Sequence, residues 1–240
     1  MRVAVVTPYY KEPTEMLFEA HQSVLNQDYA ATHVLIADGH PNVSVDSWDC
    51  DHIILPRAHR DAGSYARGVG AFHAISSKFD AVSFLDADCW FDKSHISNLV
   101  NVMQKHGVPV ATSRRKLIRL DRSLLNIFDL ESDGLRFADT STLLISKDLI
   151  DIQSVWLQMP PELGVIGDRI VWAAIKSRGY GCATSGEATL NYQTRYQVHY
   201  LSQHESPPLS AISNEAADEA ARIWRSLPEK TRKIILLGAG

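Results

Sequence analysis

Asp86 and Asp88 close an apolar run, "AVSFLDAD", with a single alanine between them. Along a strand, side chains at i and i+2 leave the same face, so both carboxylates can reach one ion at the strand's end. All-oxygen ligation suits a hard cation, Mn²⁺ or Mg²⁺, of the kind usually shared with substrate phosphates rather than caged by protein. Without such an ion the two like charges would repel, and neither has a basic neighbour in sequence. The alternative is a polar turn that only ends a strand. Other candidates carry similar alternatives. Asp38 precedes Gly39 after "VLIA", where an Asp-Gly pair serves a turn. Asp168 precedes "RIVWAAI", a natural helix-cap position. His199, in "YQVHY", reads as a surface or hydrogen-bonded histidine.

Strands and helices able to position these groups alternate over the first 113 residues. "RVAVVTP" predicts a strand buried on both faces. "TEMLFEAHQSVLNQ" predicts a helix with Thr14 as N-cap and Leu17, Ala20, Val24 and Leu25 turned inward. "HVLIADGH", "HIILP", "AVSFLDAD" and "VPVATSR" are further strands. "SYARGVGAFHAISSKF" and "SHISNLVNVMQKHG" are helices, the second running from a Ser94 cap to a Gly107 stop. "GVGAF" falls inside a helix, where its glycines indicate close packing. The alternation predicts an α/β fold: a mainly parallel, Rossmann-like sheet flanked by helices, with right-handed crossovers and ligands at the carboxyl ends of the strands. Thr7, Asp38 and Asp86 then converge on one edge. After residue 113 the pattern fades. "TSTLLISKDLI" predicts a strand leading into a helix, "GDRIVWAAIKSRGYG" a helix from Asp168 to Gly179, and "NEAADEAARIWRSL" a helix with Ala217, Ala220, Ala221 and Trp224 on one side. The remainder from about residue 184 reads as irregular. No repeat or linker divides the chain, so one domain is expected.

The 240 residues, 45% apolar and 22% charged, are those of an ordinary globular protein. A net charge of -4 gives no electrostatic reason to expect nucleic acid as partner. The basic run "RRKLIRLDR" (114–122) is either a solvated surface or a cradle for an anionic substrate or lipid headgroups. Three scattered cysteines, Cys50, Cys89 and Cys182, fit a reducing compartment and argue against a disulfide framework or structural zinc. The N-terminal apolar run is too short for a signal peptide, and no window approaches a membrane span. A cytoplasmic protein is expected, with peripheral contact with the inner membrane surface left open.

Four blocks in order resemble the family-two glycosyltransferases of the GT-A fold, over roughly residues 1 to 190. They are "VAVVTPYYKEP", "HQSVLNQDYAATHVLIADGH", "AGSYARGVGAFHAISSKFDAVSFLDAD" and "GVIGDRIVWAAIKSRGYG". The resemblance implies an inverting, hexosyl-type transferase that uses a nucleotide-sugar donor, a UDP-sugar, and Mn²⁺ or Mg²⁺. A surface polysaccharide or glycoconjugate is the implied product. It implies that Thr7, Pro8 and Tyr9 line the base and ribose, that Asp38 hydrogen-bonds the base, and that Arg67 supports the pocket. Glu12 stands where the family has an acid after the first strand. By the same resemblance Asp86 would lie near the ribose and the metal with Ala87 beside it against the nucleotide-sugar, Asp88 would be the direct metal ligand, and Asp168 would be the general base. A late metal-binding histidine would be His199 or, less well placed, His204. Residues 1–113 would bind the nucleotide-sugar; 114–240 would form the acceptor and catalytic half. Ala37 replaces the first of the family's two aspartates before Gly39, and Cys89 and Trp90 follow the Asp-x-Asp motif, which puts sugar and acceptor preference in doubt. A sugar-nucleotide pyrophosphorylase would carry a glycine-rich basic loop where this chain has "TPYYKEP", and a dehydrogenase would carry G-x-G-x-x-G there. A non-catalytic nucleotide-sugar-binding protein with a degenerate site is the other alternative.

Overall fold

The structure, a computed structural model, describes residues 1–127, 129 and 131–238. Strand β1 (Val3–Tyr9) is buried along its whole length, as its β-branched run requires. Helix α1 (Thr14–Leu25) begins one residue after Pro13, so Thr14 is the first helical residue and not the cap. Strands β2 (Ala31–Ala37) and β3 (Asp51–Ile54) follow, then α2 (Ser64–Ser76) and β4 (Ala81–Phe84). Because β4 stops at Phe84, Asp86 and Asp88 stand in the turn beyond it, and the same-face strand geometry expected for them does not apply. Next come β5 (Trp90–Phe91) and α3 (His95–His106), the latter ended by Gly107 at φ 60°. The second half contains β6 (Val110–Ile118), β7 (Leu124–Asn126), β8 (Leu143–Ser146), α4 (Ile150–Gln158) and α5 (Gly167–Ser177). It ends with β9 (Cys182–Gln193), α6 (Gln197–Ser202), α7 (Glu215–Ser226) and α8 (Glu229–Leu237). None of the described helices is long and apolar enough to cross a membrane.

Among the described residues one sheet runs in the order β3-β2-β1-β4-β8-β6-β9-β5, with β7 attached to β6. The first four strands are parallel, as expected. β8 enters antiparallel between β4 and β6, and β6 pairs parallel with β9. β9 overturns the expectation of an irregular stretch from residue 184: it runs for twelve residues and pairs along β6, with register shifts around Arg114 and Arg115. Its sequence escapes recognition because "CATSGEATLNYQ" is half-buried and polar, without the apolar alternation that marks a strand.

The two faces of β1 separate two cores. Ala4 and Val6 join Ala66, Ala71 and Ala74 of α2 and residues of α4 and α5; Val3 and Val5 join Ala20 and Val24 of α1 and Ile96, Leu99 and Met103 of α3. This is the period-two alternation of a strand sandwiched between helical layers. Gly70 lets α2 approach β1, since a Cβ there would fall 2.5 Å from Val6. The turn Pro161–Ile166 before α5 approaches more closely still: a Cβ on Gly164 would lie 2.0 Å from the Asp61 carbonyl oxygen. Gly164→Ala must push this turn off the Asp61 loop, and the expected loss is about 1–3 kcal/mol in urea denaturation; an unchanged midpoint would show that the contact yields freely.

Candidate active site

The ends of β1 and β2, the turn after β4, the start of α2 and the start of α5 enclose a cavity of about 570 Å³. It is lined by Pro8, Tyr9, Glu12, Asp38, Arg67, Asp86, Ala87, Asp88 and Asp168, all singled out from sequence. Thr7 lies beneath it, fully buried, its Oγ1 2.8 Å from His33 Nε2. The Tyr9 hydroxyl accepts from the Asn42 N–H at 3.0 Å and meets His52 Nε2 at 2.7 Å, which fixes its ring against the cavity. Glu12 Oε2 accepts from the backbone N–H groups of Tyr10 and Lys11, at 2.6 and 3.0 Å, and ties down the loop after β1.

Asp38 is 5% exposed and already engaged. Its carboxylate accepts from the His59 N–H, at 3.1 and 2.9 Å, and its Oδ1 lies 2.7 Å from His59 Nδ1, so it holds the 57–63 loop over the cavity. Gly39, at φ +76°, is required beside it: a Cβ would fall 2.3 Å from the Ala58 nitrogen. Sequence proximity left Asp86 and Asp88 without a cation, but the fold supplies two. Arg67 pairs directly with Asp86, donates to the Ala62 carbonyl at 2.7 Å and lies over the Trp156 ring. Arg195 is more distant from Asp88, with Nε 3.6 Å from the carboxylate. Asp88 is therefore the less well neutralised, and burial followed by the charge of Asp86 pushes it up to about 6.

Asp168 is the second residue of α5, whose N-cap is Ile166, so the cap alternative is not realised. Burial, then the negative charge of Asp139, push its carboxyl up to about 7. A second cavity of about 610 Å³ adjoins the first, and Asp139, Asp168, Tyr192 and Tyr196 line both. His199 belongs to this second cavity and does not reach Asp88's. Its Nδ1 meets Thr194 Oγ1, and its Nε2 is 3.4 Å from Arg115 and 3.8 Å from Glu131. His204 is exposed in the turn after α6.

Among the described residues no three His, Cys, Asp or Glu side chains converge as a metal cage. Asp88, a half-neutralised carboxylate at the cavity wall, still suits one corner of a hard cation's shell, with ligand phosphates supplying others. The basic run is neither an open cradle nor a merely solvated surface. Arg115, 3% exposed, pairs with Asp129 and, at 2.6 Å, with Asp139. Lys116, Arg119 and Arg122 pair with Asp92, Glu205 and Glu19.

Sequence reasoning missed Asp139, Asp61, Tyr192 and Tyr196. Asp139 caps the turn Thr140–Thr142 by accepting from the Ser141 N–H at 2.9 Å, and nothing in its local sequence marks it as a cavity residue. Asp61 lines the first cavity with its Oδ1 buried and unpartnered among the described residues. The two tyrosines fall in and just after the unrecognised β9. Asp139→Asn removes one of the two causes that raise Asp168, so a carboxyl NMR titration should place Asp168 below about 7 yet above an ordinary aspartate, since burial remains. An unmoved titration would show that burial alone sets it.

Residues 4–126 match the family model for Glycosyl transferase family 2, just over half of the 240-residue chain. No curated protein matches the sequence. Among solved structures, residues 1–349 of S. aureus TarS in complex with UDP superpose with a TM-score of 0.63 at 15% identity, covering 98% of this chain and 70% of that one. The same TarS fragment in complex with UDP-GlcNAc gives 0.61 at 16% identity, with 98% and 70% covered. A longer TarS structure gives 0.63 at 15%, and this chain spans 42% of it. At these identities the likeness speaks for the fold.

Proposed function

The chain belongs to glycosyl transferase family 2, and from that premise we propose that it moves a sugar from a UDP-sugar donor to an acceptor hydroxyl, with inversion and with Mn²⁺ or Mg²⁺ bound. One observation carries this reading: Asp168 stands where the two cavities meet, whereas Asp86 and Asp88 line only the first. A donor in the first cavity and an acceptor in the second would present the acceptor hydroxyl to Asp168 at their junction. The complexes of TarS with UDP and UDP-GlcNAc support a uridine donor on the shared fold.

Each residue's task follows from its surroundings. Tyr9 and Pro8 form a rigid wall for the base, and Asp38 shapes the same end through the loop it holds. Arg67 pairs with Asp86 and holds it in place. Asp88 is then the carboxylate left to hold the cation. A bound Mn²⁺ or Mg²⁺ supplies Lewis-acid neutralisation of the charge that builds up on a departing diphosphate. Asp168 takes the acceptor's proton at its carboxylate. A pKa near 7 suits that task, because proton transfer is most effective when the base is matched to the working pH. One base and attack from the side opposite the leaving group give inversion. A pure binding protein would need no carboxylate so perturbed at the cavity junction. Surface polysaccharide or glycoconjugate synthesis is the setting the family resemblance supports.

The base assignment predicts three linked outcomes. Asp168→Asn should lower kcat by about 10²–10⁴-fold while UDP binding in calorimetry persists. In the parent protein kcat/KM should rise with pH through about 7, as Asp168 loses its proton. An acid whose pKa is raised on folding destabilises the native state as pH climbs from its unfolded value towards its folded one. Asp168→Asn should therefore also be the more heat-stable protein at pH 8; normal turnover by this variant excludes Asp168 as the base. For the cation, Asp88→Ala should remove the thermal shift that Mn²⁺ adds in the presence of UDP, and an undiminished shift would place the ion elsewhere.

A further inference from the structure

The charges that line the second cavity decide what it admits. Four carboxylates, Asp129, Glu131, Asp139 and Asp168, line it against two guanidinium groups, Arg115 and Arg169. Both guanidinium groups are committed: Arg115 to Asp129 and Asp139, Arg169 to Glu131 at 2.9 Å. His199 hydrogen-bonds Thr194 and faces Glu131, whose carboxyl it helps hold down to about 2, so Glu131 stays ionised. An entering phosphate or carboxylate would meet the ionised Glu131, and to gain a cation it would have to break an existing ion pair.

The polar groups left over are of another kind. The hydroxyls of Tyr192 and Tyr196, which line both cavities, make no hydrogen bond to the described residues. Aromatic rings with unused hydroxyls, set among carboxylates, suit a ligand that offers hydroxyl donors and a carbon ring face. Resting on the transferase reading above, we propose that the second cavity receives an uncharged polyhydroxyl acceptor, a sugar or polyol without phosphate or carboxylate on the part that enters. Like-charge juxtaposition then excludes anionic acceptors, and Glu131 with Asp129 sets that preference.

Matched pairs test this: methyl glycosides are set against the same glycosides bearing a phosphate. Binding to UDP-loaded protein with Mg²⁺ is followed by saturation-transfer NMR, and transfer by release of UDP when a UDP-sugar replaces UDP. The uncharged member should be favoured by at least about tenfold. Glu131→Gln, which releases Arg169, should narrow that ratio at least about threefold while UDP affinity is unchanged. Equal or stronger binding of the phosphorylated members, or no signal from any uncharged one, overturns the proposal. UDP titration is read separately: if UDP fails to bind, the donor reading falls, whereas UDP binding with preference for phosphorylated acceptors sinks only the acceptor class.

Discussion

Carboxylates crowd the two adjoining cavities, and the fold can hold them there because two buried guanidinium groups stand among them. Leaving a buried charge unpaired costs several kcal/mol, so the positions of Arg67 and Arg115 are as constrained as those of the acids. Arg67 reaches from α2 to Asp86 beyond β4, and Arg115 reaches from β6 to Asp129 and Asp139. Arginine suits both places, because its planar fork satisfies more than one acceptor at once and it stays charged when buried.

What these two pairings do not neutralise defines the chemistry. Asp88 and Asp168 receive weaker compensation, and burial raises both, to about 6 and about 7. Asp88 and Asp168 differ in place: Asp88 lines only the first cavity, whereas Asp168 stands at the junction of both. On the proposed reading, Asp88 would hold the cation on the donor side and Asp168 would take the proton of the second substrate.

The pairings also join the two halves of the chain. The parallel strands β3, β2, β1 and β4 present Asp38 and Asp86 at one edge. β8, β6 and β9 bring Asp139, Arg115, Tyr192 and the start of α5 up to that same edge. β8 enters antiparallel directly after the turn that Asp139 caps, and Asp139 there pairs with Arg115 while its charge helps raise Asp168.

The parallel half was legible in the amino-acid order because its strands are continuous apolar runs and its helices show clear apolar faces; burial on both sides leaves a local signature. Most of the first cavity's wall was legible for the same reason, since residues that end successive parallel strands must meet. The second half was read less fully. β9 is polar and half-buried, α8 went unrecognised, and the cap at Asp139 says nothing locally about a carboxylate whose charge acts on Asp168. Local sequence cannot report partners 19 to 24 positions away, such as Arg67 for Asp86 or Arg115 for Asp139. Which acid is neutralised, and which is left to do chemistry, depends on distances that only the packed chain creates.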